Sequence, residues 1–77
     1  MNTSFANLRP GDRACVSGFS GLPGAYRNRL LSLGLTPGTE FIVKRVAPLG
    51  DPIEIVVRGF RLSLRREEAA GLMVEKR

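Results

Sequence analysis

Histidine and tryptophan are absent from the 77 residues, and cysteine occurs once. Without histidine, the chain lacks the usual general base near neutral pH and any imidazole metal ligand. The single cysteine, Cys15, has no partner for an internal disulfide, whereas a secreted domain this small normally carries several. The sequence therefore predicts a reducing compartment. Cys15, between Ala14 and Val16, is expected to be a small buried side chain.

Catalytic and metal-binding patterns are also missing. The chain has no GxxxxGK[ST] loop for nucleotide phosphates, and the adjacent Glu67 and Glu68 diverge around a helical turn instead of pairing as acid and base. Seven scattered carboxylates and one thiol are poor ligands for a first-row transition metal. We expect no enzyme activity, no tightly bound cofactor and no tight metal site in the monomer. Weak or subunit-bridging metal sites stay open.

Long apolar runs are missing as well. No segment approaches the roughly 18 apolar residues that a membrane-spanning helix needs. The first seven residues lack the basic and apolar regions of a signal peptide. We therefore expect a cytoplasmic protein that does not insert into a membrane.

Positive charge is in excess, since twelve Lys and Arg against seven Asp and Glu give a net charge of +5. Such a chain attracts acidic surfaces, nucleic acid or anionic lipid. Single-stranded nucleic acid also needs exposed aromatic side chains as stacking platforms, and only Phe5 and Phe19 are available for that role. The other three aromatic residues are expected to face the core, namely Tyr26, Phe41 and Phe60. Nucleic acid is therefore not the expected partner.

Turn signals are abundant, with nine glycines and five prolines, and the Pro-Gly pair typical of type II turns occurs three times. This composition favours a fold rich in strands. The segments between turns predict strands over residues 13–17, 40–47 and 72–74 and a helix over residues 25–33. The length allows one domain, residues 1–77, with its core between about residues 8 and 75.

The predicted helix carries Tyr26, Leu30 and Leu33 on one face. Gly34 is placed as the left-handed residue that follows the helix, which would bring Leu35 against Leu30 in a Schellman ending. Because a helix of roughly nine residues is not stable alone, this one is expected to pack on the sheet.

A β-hairpin is the strongest local pattern, because apolar residues alternate over residues 53–57 and again over 60–64. With Arg58-Gly59 as a two-residue loop, six large apolar side chains share one face. The facing pairs are Val57 with Phe60, Ile55 with Leu62, and Ile53 with Leu64. A type I′ turn favours Asn or Asp over Arg58, so the pattern specifies the register and leaves the turn type open. The predicted core includes Leu30, Phe41, Ile55, Val57, Phe60 and Leu62.

Five short strands, one short helix and a single helical turn over residues 65–70 before the last strand predict a mostly β fold. We expect a small, partly open SH3-like β-barrel, which limits exposed strand edges by curling the sheet. Some barrels of this kind bind RNA, so an RNA-binding module is the alternative function for a basic chain.

Three stretches and the tail of the sequence resemble the ferrous-iron transport protein A family (FeoA). The resemblance covers about residues 8–75. It begins with Leu8-Arg9-Pro10-Gly11-Asp12 and continues in the segment 26–38, which contains Arg27, Leu30, Leu33-Gly34-Leu35 and Pro37-Gly38. The third stretch is the segment 46–53, which contains Ala47-Pro48-Leu49-Gly50-Asp51-Pro52, and the tail is the segment 62–69.

This resemblance implies an SH3-like fold, a cytoplasmic location and action beside the membrane ferrous-iron permease of bacteria, which has a GTPase-like cytosolic domain. An association with Fe²⁺ is implied by the resemblance alone. A similar domain ends the iron-dependent repressors, so a stand-alone relative of that repressor domain is a further alternative.

The helix and its flanks are the expected partner-binding surface, because they carry more leucines than one short helix needs for packing. The predicted binding residues are Leu22, Tyr26, Arg27, Arg29, Leu31 and Leu35. Apolar residues with an arginine rim are typical of protein interfaces. The alternative, equally weighted, is that Leu31 only closes the open end of the barrel. Binding of Pro-rich ligands is less expected, since no groove lined by aromatic residues is evident.

Overall fold

A computed structural model describes residues 2–77 of the chain. Within those residues, six strands form one antiparallel sheet, accompanied by two α-helices and a 3₁₀ helix at Phe5–Asn7. The strands are β1 (Asn2–Ser4), β2 (Arg13–Phe19), β3 (Glu40–Val46), β4 (Ile53–Val57), β5 (Phe60–Leu64) and β6 (Leu72–Lys76), and the helices are α1 (Gly24–Ser32) and α2 (Arg66–Ala69). The spatial order is β1-β6-β2-β3-β4-β5. The sheet is open, and the mostly β fold is confirmed.

The β4–β5 hairpin has the predicted register, with Val57 opposite Phe60 and Ile55 opposite Leu62. Arg58 and Gly59 both have positive φ angles, 51° and 82°, as a type I′ turn requires. The predicted face is present, but Phe60 is 70% exposed and is not a core residue. It lies directly after the Arg58-Gly59 turn. Leu62, in the middle of the edge strand β5, is half-buried.

Helix α1 ends in the predicted Schellman motif. The Leu35 N–H donates to the Leu30 carbonyl at 3.1 Å, the Gly34 N–H donates to the Leu31 carbonyl at 3.0 Å, and Gly34 has a φ of 93°. These bonds satisfy carbonyl groups that the helix end would otherwise leave without partners. Leu30 and Leu35 are both fully buried, so this ending anchors α1 in the core.

The N-terminal segment contributes more than the sequence predicted. Strand β1 pairs with β6, and the fully buried Phe5 packs against Phe41 with ring centroids 5.8 Å apart. Ser4 stabilises this segment because its Oγ accepts the Ala6 N–H and donates to the Ala70 carbonyl. The core therefore begins at Phe5, ahead of the expected start near residue 8.

Besides Phe5, the core takes side chains from every strand except β1, from both α-helices and from the loop residues Leu8 and Leu35. The fully or nearly fully buried set is Phe5, Leu8, Ala14, Val16, Leu30, Leu35, Phe41, Val43, Ile53, Ile55, Val57, Leu64, Ala69, Leu72 and Val74. Four of the six predicted core residues are in this set, and Phe60 and Leu62 are not.

Arg66, the first residue of α2, connects three segments of the chain. Its guanidinium donates to the carbonyls of Gly50 and Ala6, and its backbone N–H donates to Asp51 Oδ1 at 2.9 Å. The planar guanidinium has several fixed donors, which lets one side chain reach two carbonyls. Arg66 thereby holds the β3–β4 loop and the 3₁₀ helix together.

Over residues 2–77, no helix has the length and apolarity needed to cross a membrane.

Candidate interaction surface

Five of the six predicted binding residues reach the protein surface around α1. Arg27 and Arg29 are exposed, and Leu22, Tyr26 and Leu31 are half-buried. Leu35 is fully buried against Leu30, so its assignment to the surface is wrong. The Schellman ending that the sequence predicted for Leu35 is the reason, because it turns this side chain into the core. We call the residues Leu22, Tyr26, Arg27, Arg29 and Leu31 the helix surface.

Arg27 borders a groove at the start of α1. Its guanidinium carbon lies 5.8 Å from the centroid of the Phe19 ring, a cation–π distance. The groove has a volume of about 360 Å³ and is lined by Gly18, Phe19, Ser20, Gly21, Leu22, Arg27 and Pro37. Leu22 packs against the core while lining this groove. This end of the helix surface therefore combines the apolar side chains of Phe19, Leu22 and Pro37 with polar backbone and one cation.

The Gly71 backbone packs closely against Ser20 and Leu22, two of the residues that line this groove. A Cβ at position 71 would lie 2.5 Å from Leu22 Cγ and closer still to the Ser20 carbonyl oxygen. The Gly71 carbonyl accepts the Ser20 N–H at 2.8 Å. A side chain of any size would separate these segments, so glycine is needed here for close approach.

Arg29 has a structural contact that the sequence did not predict. Its Nε lies 3.6 Å from Glu68 Oε2, and this ion pair links α1 to α2. The Arg29 side chain is 57% exposed, and ion pairs this exposed contribute little to stability. Arg29 remains accessible to a partner, but part of its charge is already compensated. Arg27, by contrast, has no carboxylate partner among residues 2–77.

A second groove, with a mainly apolar lining, lies where the β4–β5 hairpin approaches the end of α1. Its volume is about 270 Å³, and it is lined by Leu33, Gly34, Val57, Arg58, Phe60, Arg61 and Leu62. Phe60 is its most exposed large apolar side chain. We call this site the hairpin groove. The sequence does contain a signal for this site, namely a phenylalanine directly after a turn that contains arginine. The prediction that Phe60 lies in the core left that signal without an interpretation.

Metal ligands are not clustered in this fold. Across residues 2–77, no three or more His, Cys, Asp or Glu side chains are placed to hold one ion. Cys15 is buried, as predicted, and its Sγ lies 3.7 Å from the Val16 carbonyl oxygen. The expectation that the monomer has no tight metal site stays a prediction.

A family model, the FeoA domain, matches residues 3–76. The chain belongs to the FeoA family. This confirms the resemblance found in the sequence and links the chain to a family of ferrous-iron transport proteins. The match begins at residue 3, so it includes two of the three residues of the N-terminal strand that the sequence pattern did not reveal.

Solved structures of other FeoA proteins have the same fold as this FeoA domain. The FeoA protein from Chlorobium tepidum is 44% identical with a TM-score of 0.84, covering 95% of this chain and 69% of that one. FeoA from Stenotrophomonas maltophilia, solved with zinc, is 28% identical with a TM-score of 0.81, covering 95% of this chain and 89% of that one. That protein is described as a prokaryotic SH3 domain protein and a candidate ferrous iron transport activating factor. The SH3-like fold is therefore confirmed.

A relative from Porphyromonas gingivalis joins a FeoA domain to a transporter in one chain. This Fe(2+) transport protein A/Fe(2+) transporter FeoB fusion protein is 37% identical over 71 residues, which are 92% of this FeoA domain. The chain spans 8% of the length of that fusion protein.

Proposed function

We propose that this chain is a non-catalytic, cytoplasmic accessory of bacterial ferrous-iron uptake that binds and modulates the FeoB transporter, a membrane permease with a GTPase-like cytosolic domain. The observation that carries the proposal is the fusion of a FeoA domain to FeoB in the P. gingivalis relative. Covalent linkage raises the effective concentration of two domains that otherwise meet by diffusion. A fused pair therefore supports an interaction between the separate chains.

A non-catalytic role is consistent with the side chains available. The chain has no histidine, and no carboxylate pair lies in either groove. Binding, by contrast, needs only a surface of suitable shape and charge. We propose that the protein acts by contact and that the chemistry of transport resides in its partner.

The helix surface is the proposed contact with FeoB. Exposed Arg27 lies beside half-buried Leu22 and Tyr26, an arrangement of apolar centre and basic rim that is typical of interfaces. The net charge of +5 favours rapid encounter with an acidic cytosolic domain, and the attraction weakens as salt screens it.

Co-purification tests this proposal. The tagged chain is passed over cytosol and detergent-solubilised membrane of the source organism, and the bound fraction is scored for FeoB and for ribosomal RNA. We expect FeoB to co-purify with the wild type and to be reduced by about tenfold with Arg27→Glu, because a like charge replaces the attracting one. Arg27 is exposed, so the melting temperature is expected to change little.

Lys44→Glu is the matched control. Lys44 is exposed on β3, outside the helix surface, and the substitution changes the net charge by the same amount. It should retain FeoB. Recovery of ribosomal RNA without FeoB would contradict the proposal and support the RNA-binding alternative. Equal loss with both variants would show that total charge matters and that the helix surface is not the contact.

A further inference from the structure

Strand β5 forms one edge of the sheet and pairs only with β4 among the described strands. In a hairpin closed by a two-residue loop, Val57 and Phe60 exchange backbone hydrogen bonds, and this pairing repeats at every second residue. The N–H and C=O groups of Phe60, Leu62 and Leu64 therefore point toward β4. Those of Arg61 and Ser63 point to the open edge, where a further strand can accept and donate hydrogen bonds.

Side chains alternate along this edge between two different surroundings. Phe60 and Leu62 direct their side chains to the face of the hairpin that carries the groove. Arg61 and Ser63 alternate with them, so their side chains start on the opposite face, where both residues are exposed, and Arg61 also borders the groove. A strand added beside β5 would face the same two surroundings in turn. Its side chains opposite Phe60 and Leu62 would enter the groove, and those opposite Arg61 and Ser63 would lie beside the arginine.

The charges at this edge indicate which strand fits. Within residues 2–77, neither Arg58 nor Arg61 forms a salt bridge. Carboxylates on the incoming strand would supply partners for these two cations. A second copy of the chain fits poorly, because pairing two β5 edges would bring Arg61 of each copy close to the other.

Arg58 is unusual for its backbone position. Its φ of 51° lies in the left-handed region, which is unfavourable for an ordinary residue and is best tolerated by Gly, Asn or Asp. Its guanidinium extends toward the end of α1, with Nη2 3.5 Å from Thr39 Oγ1, and the side chain lines the hairpin groove. Local conformation does not favour arginine here, so a role for the side chain at the groove accounts for it better.

We propose that the β5 edge and the hairpin groove form a docking site for an extended acidic segment, bound as an added antiparallel strand in which apolar and acidic residues alternate. The apolar side chains occupy the groove beside Phe60, and the carboxylates lie beside Arg61. The volume of about 270 Å³ is just below the usual range for ligand pockets, which suits one or two side chains of a peptide. The site is distinct from the helix surface, and the proposal holds whether or not FeoB supplies the segment.

Peptide binding measured by fluorescence anisotropy tests the proposal with the intact chain. The probe is a fluorescein-labelled, seven-residue peptide in which valine and glutamate alternate. We expect saturable binding, weakened by about tenfold when lysine replaces each glutamate. The variant Arg61→Glu should reverse this preference and bind the lysine peptide better, a result that loss of folding cannot produce. Lys44→Glu should leave the preference unchanged.

Two N-methylated peptides test whether the backbone pairs with β5. Residues opposite Arg61 and Ser63 direct their N–H groups to β5, and in this register those residues are the glutamates. Methylation of the glutamate nitrogens should therefore abolish binding, whereas methylation of the valine nitrogens should preserve it. Equal binding of the two methylated peptides, or equal binding of the glutamate and lysine peptides to the wild type, would overturn the proposal.

Discussion

At the scale of single residues, exposure falls steeply along one face of β5. Phe60 is 70% exposed, Leu62 is half-buried and Leu64 is fully buried. The three side chains share a face because every second residue of a strand points the same way. Their burial increases with distance from the turn, since Phe60 directly follows Gly59 and Leu64 ends the strand. Alternation in a sequence therefore predicts which residues share a face, and the position along the strand decides which of them are covered.

Two truncations on this face should differ widely in how much they destabilise the fold. Leu64→Ala is expected to lower the free energy of unfolding by about 2–5 kcal/mol, because it removes buried methyl groups and leaves a cavity. Phe60→Ala should cost no more than about 0.5 kcal/mol, as is usual for exposed positions. Urea unfolding of both variants measures the difference, with Leu62→Ala expected between them. A Phe60→Ala variant as unstable as Leu64→Ala would show that Phe60 packs in the core after all.

At the scale of elements, the parts predicted best were those specified by local sequence. The register of the hairpin follows from six alternating apolar residues, and the end of α1 follows from Gly34 and Leu35. Strand β1 was missed because Asn2, Thr3 and Ser4 show no apolar alternation. Its pairing with β6 joins the two ends of the chain, and such a distant contact has no local signature.

The turn before β2 contains a titratable contact between elements. Asp12 Oδ2 accepts the Arg9 N–H at 2.7 Å, and Oδ1 lies 3.4 Å from Lys76 Nζ on β6. The hydrogen bond from Arg9, together with the charge of Lys76, lowers the pKa of Asp12 below its ordinary value of 3.8, against the opposing effect of desolvation. The ionised carboxylate is therefore favoured in the folded protein.

This contact should make stability depend on pH in one direction. Because the folded-state pKa of Asp12 is depressed, its contribution is fully present well above 3.8 and is lost as the pH falls through the lower, folded-state value. Asp12→Asn should be less stable than the wild type in urea unfolding at about pH 7, and the gap should narrow toward about pH 3. A gap that stayed constant or widened at acidic pH would assign the effect to something other than the carboxylate charge.

At the scale of the whole molecule, the sequence predicted the family and the fold better than the surface. Helix α1 was correctly predicted, and Arg27 and Leu22 do lie together on its surface. Leu35 was misplaced because its exposure depends on how the helix ends against the core. The hairpin groove could not be predicted, since it exists only where the end of α1 meets the hairpin in three dimensions.

Uptake of ferrous iron by anaerobic cells tests the central claim most directly. We expect cells that lack this chain to accumulate ferrous iron more slowly than the parent strain. The wild type and Lys44→Glu should restore the rate, and Arg27→Glu, expressed at the same level, should restore it less, because the exposed cation of the helix surface is reversed. Uptake at the parental rate in cells without the chain would contradict the account.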